Sequence, residues 1–277
     1  METKQNITPT FIRDLSYPDF VGFINQWNTP PGSYSTISKL AVFSDMDSSS
    51  RVLEVACTTG FSSREFAVKT GCSGTGFDRS EHSIRMANYN KENYAPDVRV
   101  SYEVADGYQF QAENKFTHIA VTGGLAFFPD PQRMLDRCIG MLEDGGHILA
   151  TPYYQTGQLP DALVERMHAV LGIPMSAFAD FSYKKVMQLY NKLEIVFEER
   201  NALTQETDEE LAYYCESVIK RACRIHSIRD DGVYQAMHDR LLSIRKLINE
   251  GRPYQEYCVL VLRYRSSVYP DRFTALF

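Results

Sequence analysis

The sequence reads as an α/β protein built on a doubly wound, mainly parallel sheet, and two observations predict it. From Arg51 onward, short apolar runs alternate with segments of helical periodicity, the pattern of parallel strands joined by crossover helices. The first run, RVLEVA, passes an acid and a short loop before a helix start at Gly60, the kind of strand–loop–helix junction at which open sheets take ligands. With 277 residues, 44% of them hydrophobic, the chain can bury one large core and still carry an insertion.

The first fifty residues stand apart. Phe20, Phe23, Ile24 and Trp27 fall at helical spacing and the Pro30-Pro31-Gly32 stop ends the pattern, so residues 1–50 are expected to form an N-terminal helical cap segment. The core is expected over 51–205 and 251–277. Its seven strands are RVLEVA (51–56), GTGFD (74–78), VRVSYEV (98–104), FTHIAVTG (116–123), GGHILATPYY (145–154), LEIVFEERNAL (193–203) and EYCVLVLRYR (256–265). Helices over 62–71, closed by Gly71, over 80–94, capped by Ser80, and over 130–142 alternate with the first five strands. Two more helical patterns, 159–172 and 182–192, lead into the sixth. Residues 206–250 are almost wholly helical and are expected as an insertion before the last strand, forming a lid over the ligand edge of the sheet.

Composition excludes several functions. A formal net charge of −6 argues against the broad basic surface that binding of a phosphate backbone requires, so no nucleic-acid partner is expected. The six cysteines lack CxxC spacing and METKQNITPT has no apolar core of a signal peptide, which points to a reduced, cytoplasmic protein. No run approaches the roughly 20 apolar residues of a membrane span, so no membrane partner is expected either. No cluster has metal-ligand spacing: His82 and His168 lie on helices and His118 begins a strand.

The loop after the first strand, VLEVACTTGFSS, narrows the cofactor. A dinucleotide fingerprint needs three glycines so that backbone can approach a pyrophosphate, and this loop keeps one, Gly60. A cofactor without phosphate needs no such approach, and S-adenosyl-L-methionine is one. Its ammonium wants an acid or carbonyls, its ribose diol an acid, its adenine a polar and apolar slot. Glu54 in the first strand either orients the loop or reaches the amino-acid end. Asp78 ends the second strand in GFDRS, placed for both ribose hydroxyls, with Arg79 beside it. Asp106 and Gly107 follow the third strand in VADGYQF, placed for the adenine amino group.

Residues 51–154 resemble the class I S-adenosylmethionine-dependent methyltransferases, especially the branch acting on small molecules. The resemblance rests on LEVACTTG where the family has an acid followed by GxGxG, on GFDRS, on ADG, and on LEDGGHILA with its paired glycines before strand five. Gly60 matches the last family glycine, while Ala56 and Thr58 replace the earlier two. The resemblance implies a Rossmann-like sheet whose last strand is antiparallel, between strands five and six. It implies methyl transfer to an oxygen, nitrogen or carbon of a small-molecule acceptor, with Ala56, Cys57, Thr58, Gly60, Thr122 and Gly123 joining the three acids around the cofactor. Thr122-Gly123-Gly124 occupies the place where the family lines the methyl-transfer chamber.

Other residues carry two readings each. Cys57 is either a loop contact or a small packing residue. Phe20 and Trp27 staple the N-terminal helix to the core, whereas Tyr17 or Tyr34 caps the site. His226, in the inserted helices, is either a base or a solvent-facing histidine. His226, Tyr17 and Tyr34 are therefore the candidate bases for an oxygen or carbon acceptor. Tyr213 and Tyr214 are expected to point inward from an otherwise solvated helix, and the lid aromatics leave a homodimer open. A nicotinamide-dependent oxidoreductase and a cofactor-binding homologue without turnover are the rival readings.

Overall fold

In this computed structural model, residues 7–172 and 181–268 are described. Strands β1 (Arg51–Val55), β2 (Ser73–Asp78), β3 (Arg99–Val104), β4 (Phe116–Thr122) and β5 (Leu142–Ala150) pair in parallel in the order β3-β2-β1-β4-β5. β8 (Gln255–Arg263) then pairs antiparallel with β5, from His147 opposite Arg263 to Ala150 opposite Leu260. β7 (Glu194–Ala202) covers its other edge, with Glu194 opposite the same Arg263. β8 is thus an interior strand, which explains the unbroken CVLVL run buried at its centre.

The sheet has eight strands rather than seven. The single run expected over 145–154 is interrupted at Thr151-Pro152, and β6 (Tyr153–Gln155) resumes on the same edge of β8. Proline has no N–H for a ladder, but its carbonyl accepts the Cys258 N–H at 3.0 Å, so the two strands stay aligned across the break.

Period-2 alternation divides the sheet residues between two cores. Leu53, Val55, Ile119 and Val121 face Met134, Leu135 and Cys138 of α6 (Pro131–Met141). Val52, Ala120, Leu149 and Val261 face α3 (Ser33–Phe43), α4 (Phe61–Thr70) and α5 (Glu81–Tyr94). A third cluster lies off the sheet. In it Ile12 of α1 (Pro9–Asp14) and Phe20 and Phe23 of α2 (Tyr17–Phe23) pack with α7 (Asp161–Leu171), α9 (Asp208–His226) and α10 (Asp231–Gly251). The remaining helix, α8 (Tyr183–Leu189), sends Val186 into the first core.

Three helices precede β1 where the spacing predicted one; the polar start of α3, SYST, hides its apolar face of Ile37, Leu40 and Ala41. The helical stretch expected over 206–250 consists of α9 and α10. Ser227 turns into the left-handed region (φ 53°) to end α9, and the Asp230 side chain caps α10 by accepting the Val233 N–H. A Thr207/Glu210 capping box starts α9. Arg240 of α10 reaches across to the Leu15 carbonyl at 2.7 Å and lies 4.4 Å from the centre of the Phe20 ring, tying the two ends of the chain together. Among the described residues, no helix is long and apolar enough to cross a membrane.

One buried polar pair fastens this third cluster to the sheet. Asn25, just after α2, and Asn90 of α5 are fully buried and exchange amide hydrogen bonds of 2.8 Å, while Asn90 also donates to the Thr59 carbonyl at 3.1 Å. Asn90→Ala strands the Asn25 amide and frees Thr59. The expected loss is about 2–3 kcal/mol of unfolding free energy in urea titration; a loss within error would show that water replaces the pair.

Candidate active site

The loop that follows β1 is held in a left-handed conformation. Ala56 (φ 51°), Thr58 (φ 49°) and Gly60 (φ 68°) all adopt it, although only the last is glycine. A β-branched residue there is a genuine outlier, and such strain persists only where surroundings over-determine it. They do. The Thr58 N–H donates to Asp78 Oδ2 at 3.0 Å, Asn28 Nδ2 donates to Thr58 Oγ1 at 3.2 Å, and the Thr59 hydroxyl donates to the Gln26 carbonyl at 3.0 Å. Gly60 cannot be replaced so easily: a Cβ there would stand 2.4 Å from Cζ of Tyr102, whose hydroxyl donates to the Gly60 carbonyl at 2.8 Å.

Glu54 lies beneath the loop. Its carboxylate accepts the N–H of Ser62 (3.1 Å), the N–H of Ser63 (3.0 Å) and the Ser63 hydroxyl (2.6 Å), all in the first turn of α4. Burial pulls its pKa up against those bonds. With its side chain enclosed, it orients the helix start, the first of the two roles open to it from sequence. Cys57 is likewise fully buried among core residues, and burial first, then the fields of Glu54 and Asp78, push its thiol far up; it packs.

Asp78 sits at the carboxyl end of β2, nearly buried, with Oδ1 accepting the Ser80 N–H at 2.9 Å. Burial raises its pKa, an effect that the Ser80 and Thr58 bonds and the charge of Arg79 oppose. Arg79 itself is exposed. Asp106 is exposed after β3 and accepts the Tyr108 N–H at 2.8 Å, a turn that presents the segment toward solvent. Gly107 is buried because Phe128 stands over it: a Cβ would meet Phe128 Cε1 at 2.7 Å.

At the ends of β4 and β5 the chain closes on the loop from the other side. Thr122 is left-handed (φ 36°), and its carbonyl accepts the Thr151 N–H at 3.1 Å. A Cβ on Gly124 would lie 3.5 Å from that of Ala56, and one on Gly123 would lie 3.7 Å from the Tyr153 ring. Ala56, Thr122, Gly123, Gly124 and Tyr153 therefore border one cleft.

Tyr17 joins that cleft from α2. Its phenol lies in the electrostatic field of Tyr214, Arg245 and Tyr153, and burial pushes it up to about 12. Tyr153, 40% exposed overall, also has its phenol pushed up to about 12 by burial. At neutral pH Tyr17 is a hydrogen-bond donor, not a base. Tyr34 is elsewhere: 48% exposed, its ring stands edge-on to Phe61 at 5.4 Å. His226 departs furthest from the expectation of a base. It stacks on Phe23 (4.3 Å, 5°), and its Nε2 is 2.7 Å from the Phe23 carbonyl, so its ring braces α9 against α2. Tyr213 is 75% exposed and does not point inward, whereas Tyr214 does.

Residues 52–146 match the methyltransferase domain family. That segment is a methyltransferase domain. The MccD protein has the same fold (TM-score 0.69, 25% identity, covering 86% of this chain and 100% of that one). So does an S-adenosylmethionine-dependent methyltransferase from Geobacter sulfurreducens in complex with S-adenosylhomocysteine (TM-score 0.67, 18% identity, 89% of this chain and 97% of that one). A third is phosphoethanolamine N-methyltransferase 2 of Haemonchus contortus, solved with phosphomonomethylethanolamine and S-adenosylhomocysteine (TM-score 0.65, 18% identity, 92% of this chain and 61% of that one). No curated protein matches the chain by sequence.

S-adenosylmethionine is the cofactor of this class, and the methyltransferase's own residues fit it. Each Asp78 oxygen accepts one backbone N–H and keeps a lone pair for a ribose hydroxyl. The loop has the backbone turn of a glycine-rich one despite its side chains, and a single glycine leaves no pyrophosphate cradle. Sequence reasoning passed over Asn28, Tyr102, Tyr153, Arg245 and Arg252. Only Tyr214 left a trace, sharing the helical face of Leu211, Cys215 and Val218.

Removing left-handed strain should stabilise the methyltransferase. Ala56→Gly is expected to raise the unfolding free energy by about 1 kcal/mol in urea titration. A fall would mean that the Ala56 methyl contributes more by packing than its backbone costs.

Proposed function

We propose that the protein is an S-adenosylmethionine-dependent methyltransferase acting on a small metabolite. The observation that carries this reading is the cleft itself: the Asp78-anchored loop, Thr122–Gly124 and Tyr153 surround one space at the carboxyl edge of the sheet, and Tyr17 and Tyr214 close it from the helical cluster. A chamber roofed in this way suits an acceptor that can be enclosed, and the net charge of −6 fits a metabolite better than a nucleic acid. The structure from Haemonchus contortus, solved with phosphomonomethylethanolamine, supports the same class of substrate. The described cysteines, all six free, fit the reducing cytoplasm.

When bound, the cofactor supplies a methyl group on a positively charged sulfur. The protein's part is placement. Asp78 holds the ribose end, Glu54 keeps the loop and the start of α4 in register, and Asp106 stands at the adenine end. The aromatic roof excludes water, and fixing the acceptor in line with the methyl supplies the entropic part of the rate enhancement. No residue of the cleft need act as a base for an amine acceptor that arrives neutral. The N-terminal segment 1–50 and the insertion 206–250 act together as the specificity cap over the core of 51–205 and 251–277.

Calorimetric titration with S-adenosylmethionine, S-adenosylhomocysteine and NADH tests the cofactor. Both sulfur nucleotides should bind and NADH should not. Asp78→Ala should weaken the first two by roughly 30-fold or more, the equivalent of at least about 2 kcal/mol. Tight NADH binding, or no binding of either sulfur nucleotide, would sink the reading.

A further inference from the structure

Two guanidinium groups of the helical cluster share one half-buried carboxylate. Arg245 Nη2 is 2.5 Å and Arg252 Nη2 is 2.9 Å from the same oxygen, Oε2 of Glu206. The three groups together keep one unit of positive charge. Glu210, which closes its own helix cap on the solvent side, also feels the charge of Arg252, and Arg221, whose field reaches Tyr214, adds a further positive charge. Two arginines sharing one carboxylate, in a chain of net charge −6, call for an explanation.

Arg245 also has a donor to spare. Its Nε is buried and has no hydrogen-bond partner, and its guanidinium lies 4.6 Å from the centre of the Tyr214 ring. A buried N–H left unpaired costs about 1–3 kcal/mol unless something takes it up. The charge of Arg245 acts on the phenols of Tyr17, Tyr153 and Tyr214, none of which makes a hydrogen bond among the described residues. Burial raises all three phenols, so each presents a proton at neutral pH. Tyr153 is the ring that borders Gly123, which places this group of donors beside the cleft at the end of β4.

Resting on the methyltransferase reading above, we propose that the acceptor carries an anionic oxyacid group, a carboxylate or a phosphate, held by Arg245 Nε and the hydroxyls of Tyr17, Tyr153 and Tyr214. Charge-assisted bonds from a guanidinium and neutral O–H donors suit such a group, and a neutral acceptor would leave the positive charge unanswered. The anion is a handle that orients the acceptor and is not the atom methylated. Glu206 keeps Arg245 extended across the roof, and Arg252, which also donates to the Thr204 carbonyl at 2.7 Å, anchors Glu206 in turn.

The test uses the full chain saturated with S-adenosylhomocysteine and titrated calorimetrically with sodium benzoate, phenyl phosphate and benzamide. At least one of the two anions should bind saturably, at least about tenfold more tightly than benzamide, and the better one tells carboxylate from phosphate. Arg245→Gln should lose about tenfold or more of that affinity while S-adenosylhomocysteine binding is retained. Tyr153→Phe, which breaks no hydrogen bond within the described protein, should cost a few-fold and decides the matter if Arg245→Gln does not fold. Benzamide binding as well as the anions, no binding of either anion, or unchanged anion affinity in folded variants would overturn the proposal. Failure of S-adenosylhomocysteine to bind would instead count against the methyltransferase reading, so the two fail separately.

Discussion

The contact between Glu54 and the first turn of α4 is the one on which the site depends. A carboxylate projecting from β1 accepts two backbone N–H groups and a hydroxyl at a helix N-terminus, where such donors otherwise go unmet. That contact fixes the angle between the strand and the helix, so the residues between them have little freedom. Ala56 and Thr58 are forced into left-handed backbone, the Thr58 N–H turns toward Asp78, and that carboxylate is oriented from the same place. The strain is offset by Asn28, Gln26 and Asn90, which arrive from the N-terminal segment and α5. The cofactor loop is thus held from below by the sheet and from above by the helical cluster.

This loop explains how a glycine-poor sequence keeps a glycine-rich shape. Glycine relieves local strain, but tertiary contacts can hold other residues in the same conformation at a cost of about 1 kcal/mol or more each. At Gly60 that route is closed, because the Tyr102 ring occupies the space a side chain would need. The one glycine kept is the one with both a positive φ and a close neighbour.

Most of the sheet could be read from the chain because its strands are continuous apolar runs separated by turn formers. β8 shows the same logic: an interior strand needs both faces apolar, and CVLVL supplies them. The acids were legible too, since Glu54, Asp78 and Asp106 lie in or after successive strands that pair side by side. Of the upper residues, Tyr17 and Tyr214 were anticipated, but Tyr153 and Arg245 were not. Tyr17, Tyr153, Tyr214 and Arg245 come from four elements far apart in sequence, and no periodicity marks their meeting. His226 misled for the opposite reason. A histidine in an inserted helix suggests chemistry, but a flat ring beside Phe23 with a carbonyl in reach is satisfied by packing.

The third cluster joins helices from opposite ends of the chain, and this affects how the protein is made. Ile12, Phe20 and Phe23 leave the ribosome before any strand of the sheet, yet Leu211, Ile219, Met237 and Leu241, which cover them, are synthesised only after β7. Until then those early apolar side chains lack the α9 and α10 partners that complete their cluster. Contacts this distant in sequence close slowly, and a nascent chain that exposes such residues is open to chaperones and to aggregation. The helical cluster is therefore completed late, and its first-made half must wait for the second.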